Sequence, residues 1–166
     1  DETSGITFKW YGANVRFDEE YSLRYVFQMT GMTGDLKPQT AVLTVTDTNG
    51  VAKTYSVEIT PAEEEGYFYA TYPVPASDIA KADTTVKMEI TMSDGTTTIE
   101  TPEFKYGMHA FLTYSIYLYS EGGETVKVKE GEDAAAKTEQ YVQMMASLLK
   151  LGESMLAMES TPSAQE

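Results

Sequence analysis

A mainly β chain, an immunoglobulin-like antiparallel β-sandwich with a C-terminal amphipathic α-helix, is what three features of this 166-residue sequence predict. Apolar and polar residues alternate in run after run from Ile6 onward, the period of strands with one buried face. Turn signals built on Asn-Gly, Asp-Gly and proline separate these runs by roughly 8 to 15 residues, a spacing that suits sandwich strands rather than alternating β and α units. Beyond Gly131 the period changes to that of a one-sided helix.

The strongest local signal is the hairpin from Thr40 to Ile59. Two alternating runs, Ala41 to Thr46 and Thr54 to Ile59, flank Asp47-Thr48-Asn49-Gly50, and Asn-Gly suits a type I′ turn because both of its central residues need positive φ. Tyr55, Val57 and Ile59 then share one face and Thr54, Ser56 and Glu58 the other.

The other strands are laid against that hairpin in order. Ile6, Phe8 and Trp10 alternate with Thr7, Lys9 and Tyr11 in a half-buried strand that Gly12 stops, with a short strand over Asn14 to Phe17 after it. An acidic turn, Asp18-Glu19-Glu20, leads into Tyr21 to Met29, where Tyr21, Leu23, Tyr25, Phe27 and Met29 face one way and mark a central strand. Residues 30–39 are a loop. Pro61 to Gly66, with its three glutamates, is a solvated turn. In the next run Phe68, Ala70, Tyr72 and Val74 alternate with Tyr67, Tyr69, Thr71 and Pro73, and the proline confines that end to an edge or crossing. Residues 75–82 supply one helical turn bridging two sheets. Val86, Met88, Ile90 and Met92 form another buried face, Ser93-Asp94-Gly95 closes a second hairpin, and Thr113 to Tyr119 reads as a last strand or extended run.

The tail is different. Gly122 and Gly123 interrupt the chain, Thr125 to Lys129 is short and β-like, and Asp133 is placed to cap a helix running to about Glu159. Thr138, Val142, Met145, Leu149, Gly152 and Leu156 form its stripe, and at 1.5 Å per residue it is roughly 40 Å long. Gly152 costs about 1 kcal/mol in a helix interior, so it implies a close neighbour or a break. These elements give a β-sandwich domain at 5–120, a hairpin and helical segment at 121–159 packed on the sandwich, and a frayed tail at 160–166.

The succession of Asp18-Glu19-Glu20-Tyr21-Ser22-Leu23-Arg24-Tyr25-Val26-Phe27, the Asn-Gly hairpin, Gly66-Tyr67-Phe68-Tyr69-Ala70-Thr71-Tyr72-Pro73-Val74-Pro75-Ala76, Ser93-Asp94-Gly95, Thr113-Tyr114-Ser115-Ile116 and Leu148-Leu149-Lys150-Leu151-Gly152 resembles a β-sandwich module with a C-terminal helix. That module recurs in large exported and surface proteins of gut Firmicutes. The resemblance spans roughly residues 5 to 158 and implies an extracellular or cell-surface setting, with other domains of the same or a neighbouring surface protein as partners. Its motifs are packing motifs, so it implies no catalytic residue. This chain departs from the pattern at Tyr117-Leu118-Tyr119 and Gly122-Gly123, where the module usually begins a charged helix.

Composition narrows the function. A formal charge of -14, with 26 acidic residues against 12 lysines and arginines, leaves no basic stripe for phosphates and argues against nucleic acid. No apolar run reaches the roughly 18 residues of a spanning helix, so no membrane span is expected. The first residues, Asp1-Glu2-Thr3-Ser4, are not a signal peptide, and an exported chain would have lost its signal before this point. The absence of cysteine removes thiol catalysis, disulfides and cysteine-ligated metals together.

His109 is the single histidine, and Met108-His109-Ala110-Phe111 offers no neighbouring nucleophile. Acidic residues cluster in turns rather than as a facing pair, so no catalytic residue and no enzyme activity are expected. Asp47, Asp94 and Asp133 carry oxygen donors, but none follows the spacing of a calcium loop; no metal and no cofactor are expected. An isopeptide crosslink from Lys9 lacks an asparagine in a late strand. The surplus tyrosines are the remaining clue. Tyr11, Tyr67 and Tyr69 lie on the outer sides of their strands, where rings either stack on sugars or pack beneath the helix. The expected function is therefore a noncatalytic extracellular structural or interaction module, with a carbohydrate-binding or adhesive module using these three tyrosines, and a glycan as partner, as the alternative. A methionine-rich helix face (Met144, Met145, Met155, Met158) that recruits a protein is a third reading.

Overall fold

A computed structural model describes residues 5–17 and 21–160. The turn at Asp18, Glu19 and Glu20 and the tail past Ser160 lie outside the described residues. The chain forms two compact units, one from residues 1–74 and 83–107 and the other from residues 75–82 and 108–166.

The first unit is all β. Its strands are β1 (Thr7–Phe17), β2 (Tyr21–Thr30), β3 (Pro38–Thr46), β4 (Ala52–Pro61), β5 (Tyr67–Pro73), β6 (Thr85–Met92) and β7 (Thr98–Glu100). They join in one antiparallel sheet in the order β1-β2-β5-β4-β3-β6-β7. The sheet is continuous because β4 has two neighbours: it pairs with β3 from Glu58 to Ala52 and with β5 only from Ile59 to Pro61. A strand that changes partner along its length makes a corner, and the sheet curls there. At Pro73, β5 has already lost β4 and pairs only with β2, so a residue without an N–H is tolerated.

The period-2 pattern decides which face is inside. Leu23, Tyr25, Phe27 and Met29 of β2 are fully buried, as are Leu43, Ala70, Ile90 and Met92, with Ala41, Val86 and Met88 nearly so. Trp10 of β1 stacks on Phe104 at 5.2 Å and donates its indole N–H to the Pro102 carbonyl at 2.9 Å. Phe104 in turn exchanges backbone hydrogen bonds with Val86 of β6. The aromatic cluster thus ties β1, at one end of the sheet order, to β6 near the other. Tyr25 lies inside it and satisfies its hydroxyl on the Tyr106 carbonyl at 2.6 Å; burial, with Tyr72 beside it, raises its pKa far above that of a free phenol. Buried Thr101 accepts the Met88 amide at 2.9 Å, so the short β7 end leaves no orphan donor there.

Two local expectations change. Gly12 does not stop the first strand. Pairing passes from Trp10↔Phe27 to Gly12↔Val26 with Tyr11 as the extra residue, a β-bulge that carries one strand through to Phe17. The Asn49-Gly50 turn is not of type I′: Gly50 is left-handed at φ 80°, but Asp83 is the one non-glycine with positive φ among the described residues. The loop has three residues, with the Gly50 amide on the Asp47 carbonyl, and Asp47 Oδ1 accepts the amides of Asn49 and Val51. The carboxylate shapes the turn, and a left-handed glycine completes the three-residue hairpin.

The second unit contains a 3-10 turn at Ala76–Asp78, helix α1 (Met108–Tyr119) and helix α2 (Ala134–Ser160). Residues 113–119, expected to be extended, are helical. Met108, Leu112 and Ser115 are buried at helical spacing, and α1 packs on α2; that contact overrides the strand preference of a Thr-Tyr-Ser-Ile-Tyr run. Thr125 to Lys129 forms no strand. It is pinned instead by Thr138, whose hydroxyl accepts the Val126 amide at 2.9 Å and donates to the Ala134 carbonyl. Asp133 caps α2 as expected, taking the amides of Ala135 and Ala136. No helix among the described residues is long and apolar enough to cross a membrane.

Candidate functional site

The outer face of β1, β2 and β5 carries the three tyrosines singled out by sequence. In register, Tyr67 stands opposite Gln28, Tyr69 opposite Val26, and Thr71 opposite Arg24. On the other side of β2, Asn14 faces Arg24 and Gly12 faces Val26. The bulge brings Tyr11 to this surface. It is 69% exposed, and its ring meets Tyr67 edge to face at 5.2 Å and 82°. An edge-to-face pair holds both rings in defined orientations. Two residues along the same strand, Tyr69 is covered on one side by the Arg24 guanidinium, 4.3 Å from its centroid, a cation–π contact worth about 0.5–1 kcal/mol at an exposed position.

Tyr67 and Tyr69 are half-buried. The face therefore presents one open ring, two rings held at fixed angles, an arginine, and the amide side chains of Asn14 and Gln28. Flat apolar surface with fixed polar groups beside it suits a saccharide, whose ring offers an apolar face and a rim of hydroxyls. Arg24 was not among the residues singled out by sequence. The available signal was its position at i, i+2 spacing on the outer side of the central strand, beside the tyrosine strand.

The second unit has a cleft of about 790 Å³ that periodicity did not reveal. Leu118, Tyr119, Val126, Val128, Lys137 and Tyr141 are among its walls. Tyr119 meets Tyr141 edge to face at 5.5 Å, and burial, then Tyr119, raises the Tyr141 pKa. The volume falls in the range of small-molecule sites. Its ionic groups are partly committed, with Lys137 and Glu132 at 3.6 Å and Glu132 also accepting the Lys129 amide.

The remaining candidates lie elsewhere on the chain. His109 is half-buried in the first turn of α1. Asp47, Asp94 and Asp133 each accept two backbone amides on Oδ1, and no group of three histidine or carboxylate side chains among the described residues is arranged for a metal. In the methionine-bearing helix Met145 and Leu148 are buried while Met144 and Met158 are exposed, so the stripe is divided between core and surface.

Asp94 gives an acid-range prediction. The Thr97 hydroxyl, the Thr97 amide and the Thr96 amide all donate to it, and they lower its pKa from 3.8 to about 2. The folded value lies below the free one, so the contribution of this turn is complete above about pH 4 and is lost as pH falls through about 2. In a pH titration by NMR the Thr96 and Thr97 amide shifts are expected to move with a midpoint near 2, and Asp94→Asn is expected to abolish that transition. A midpoint near 4 would rule out the hydrogen-bonded turn.

Comparison with protein-family models, curated proteins and solved structures finds no match to this chain.

Proposed function

We propose that the chain is a noncatalytic extracellular interaction module of a bacterial surface or secreted protein, built as an immunoglobulin-like sandwich, and that it binds carbohydrate through the face of Tyr11, Tyr67 and Tyr69. The observation that carries the binding role is the open Tyr11 ring locked against Tyr67 beside the arginine-covered Tyr69. Rings held in place before binding lose little freedom when a ligand arrives. The strand order supports the architecture: numbered A to G along the chain, it reads A-B-E-D-C-F-G, which is the ABED and CFG grouping of constant-type immunoglobulin domains joined through D and C. A cysteine-free, acidic composition rich in tyrosine supports the extracellular setting, as does the resemblance to modules of exported proteins.

The test is binding of the purified chain to an array of host and plant glycans, with Tyr67→Ala and Tyr69→Ala as controls. A saturable signal that falls several-fold, up to about tenfold, in both variants is expected, since an aromatic ring contact is worth about 0.5–1.5 kcal/mol and about 1.4 kcal/mol is tenfold. A blank array would leave the module a spacer between domains.

A further inference from the structure

We propose that the saccharide bears a carboxylate and that Arg24 is the group that reads it, an inference that rests on the carbohydrate reading of the tyrosine face. Arg24 is one of only two arginines, in a chain where acidic residues outnumber basic ones 26 to 12. Even so, it makes no ion pair with any described residue. Its Nε is buried without an acceptor, and the guanidinium rests on the Tyr69 ring. Stripping water from a donor without replacing the hydrogen bond is unfavourable, and acidic side chains were abundant enough to supply a partner. The Nε has no accessible surface of its own, so an acceptor that arrives with a ligand meets the Nη end of this half-buried side chain.

Geometry and charge restrict that acceptor. A guanidinium offers a planar fork of donors that a two-oxygen group can fill, and a carboxylate matches that fork. Asn14 and Thr71 flank Arg24 in register on the same face. Tyr67 and Tyr69, about 7 Å apart along β5, are placed to take the adjoining sugar rings. The Tyr67 end runs into the exposed Glu63, Glu64 and Glu65 turn, so the acidic group is directed away from it, toward Arg24. A net charge of -14 repels a repeating polyacid and favours an otherwise neutral chain ending in one hexuronic acid.

The experiment titrates the full chain by isothermal calorimetry with an oligosaccharide ending in glucuronic acid and with its carboxyl-reduced, glucose-ending counterpart, using wild type, Arg24→Gln and Arg24→Lys. Melting curves are recorded to verify that each variant is folded. The expected result is at least about tenfold tighter binding of the acid form, a preference lost in Arg24→Gln and partly kept in Arg24→Lys. Equal binding of acid and reduced forms, or a preference that survives in Arg24→Gln, overturns the role of Arg24 while leaving carbohydrate binding in place. No binding of either sugar, with binding instead of an acidic peptide, overturns both.

Discussion

Phe27→Ala is expected to remove about 3–5 kcal/mol of stability, the largest loss from any single truncation in the β unit. Phe27 is fully buried on β2. Its ring stacks on Phe8 at 5.2 Å and on Phe68 at 5.9 Å, and meets Trp10 edge-on at 6.4 Å. Two neighbouring strands, β1 and β5, therefore close on this one side chain of β2, and truncation both forfeits its transfer free energy and leaves a cavity that neighbours fixed by their own strand pairing cannot fill. Against a usual total of about 5–15 kcal/mol, the variant is expected to melt far below wild type and to show a weakened near-ultraviolet dichroism signal. Val42→Ala, at a 39% exposed site on β3, is the matched control and should change stability by less than about 0.5 kcal/mol. A loss below about 1 kcal/mol in Phe27→Ala would show that the aromatic cluster is not the core.

Gly152→Ala is expected to destabilise the helical unit although alanine is the better helix former. Propensity alone favours the substitution by about 1 kcal/mol. A Cβ at this position of α2 would lie 2.7 Å from Ile79 Cβ, 2.8 Å from Ile79 Cγ2 and 3.0 Å from the Ala80 amide nitrogen. Ile79 is fully buried, so it has no vacant space to enter, and one of the close atoms is backbone. Overpacking of this kind costs about 1–3 kcal/mol; with two carbons inside 3 Å the upper part of that range applies, and a net loss of about 1–2 kcal/mol follows. Gly152→Val adds two methyl groups and a β-branched penalty and should lose more. The decisive measurement is a double-mutant cycle with Ile79→Gly, which removes both the Cβ and the Cγ2 that the new methyl would meet, so that the cost of Gly152→Ala should be much smaller in that background. A higher melting temperature for Gly152→Ala in the wild-type background would show that the helix does not approach residues 79 and 80 so closely.

Much of the β unit is legible from local pattern. The period-2 faces of β2, β5 and β6 and the Thr40 to Ile59 hairpin emerge from the sequence because alternate residues of β2, β5 and β6, and Ala41, Leu43 and Ile59 of the hairpin, are buried on one side. The cap at Asp133 is equally local, since a helix start needs one acceptor within three residues of its free amides. The site is half legible. The tyrosines follow from strand alternation, whereas the contact of Tyr11 with Tyr67 depends on a bulge that sequence alone reads as a strand end. The partner of Tyr69 depends on which strand lies beside β5.

What the sequence determines by itself is the strands between Tyr21 and Glu100, their inward faces and the long C-terminal helix, because each is encoded in spacing over a few neighbouring residues. Only the tertiary structure decides the remainder. Helix α1 replaces an expected strand because burial of Met108, Leu112 and Ser115 and packing against α2 outweigh the β preference of its tyrosines. The single curled sheet exists because β4 changes partner at Ile59, and the contact of Arg24 with the Tyr69 ring exists because β5 inserts between β2 and β4. In each case the deciding term is a contact between residues distant in the chain, and short-range periodicity carries no record of it.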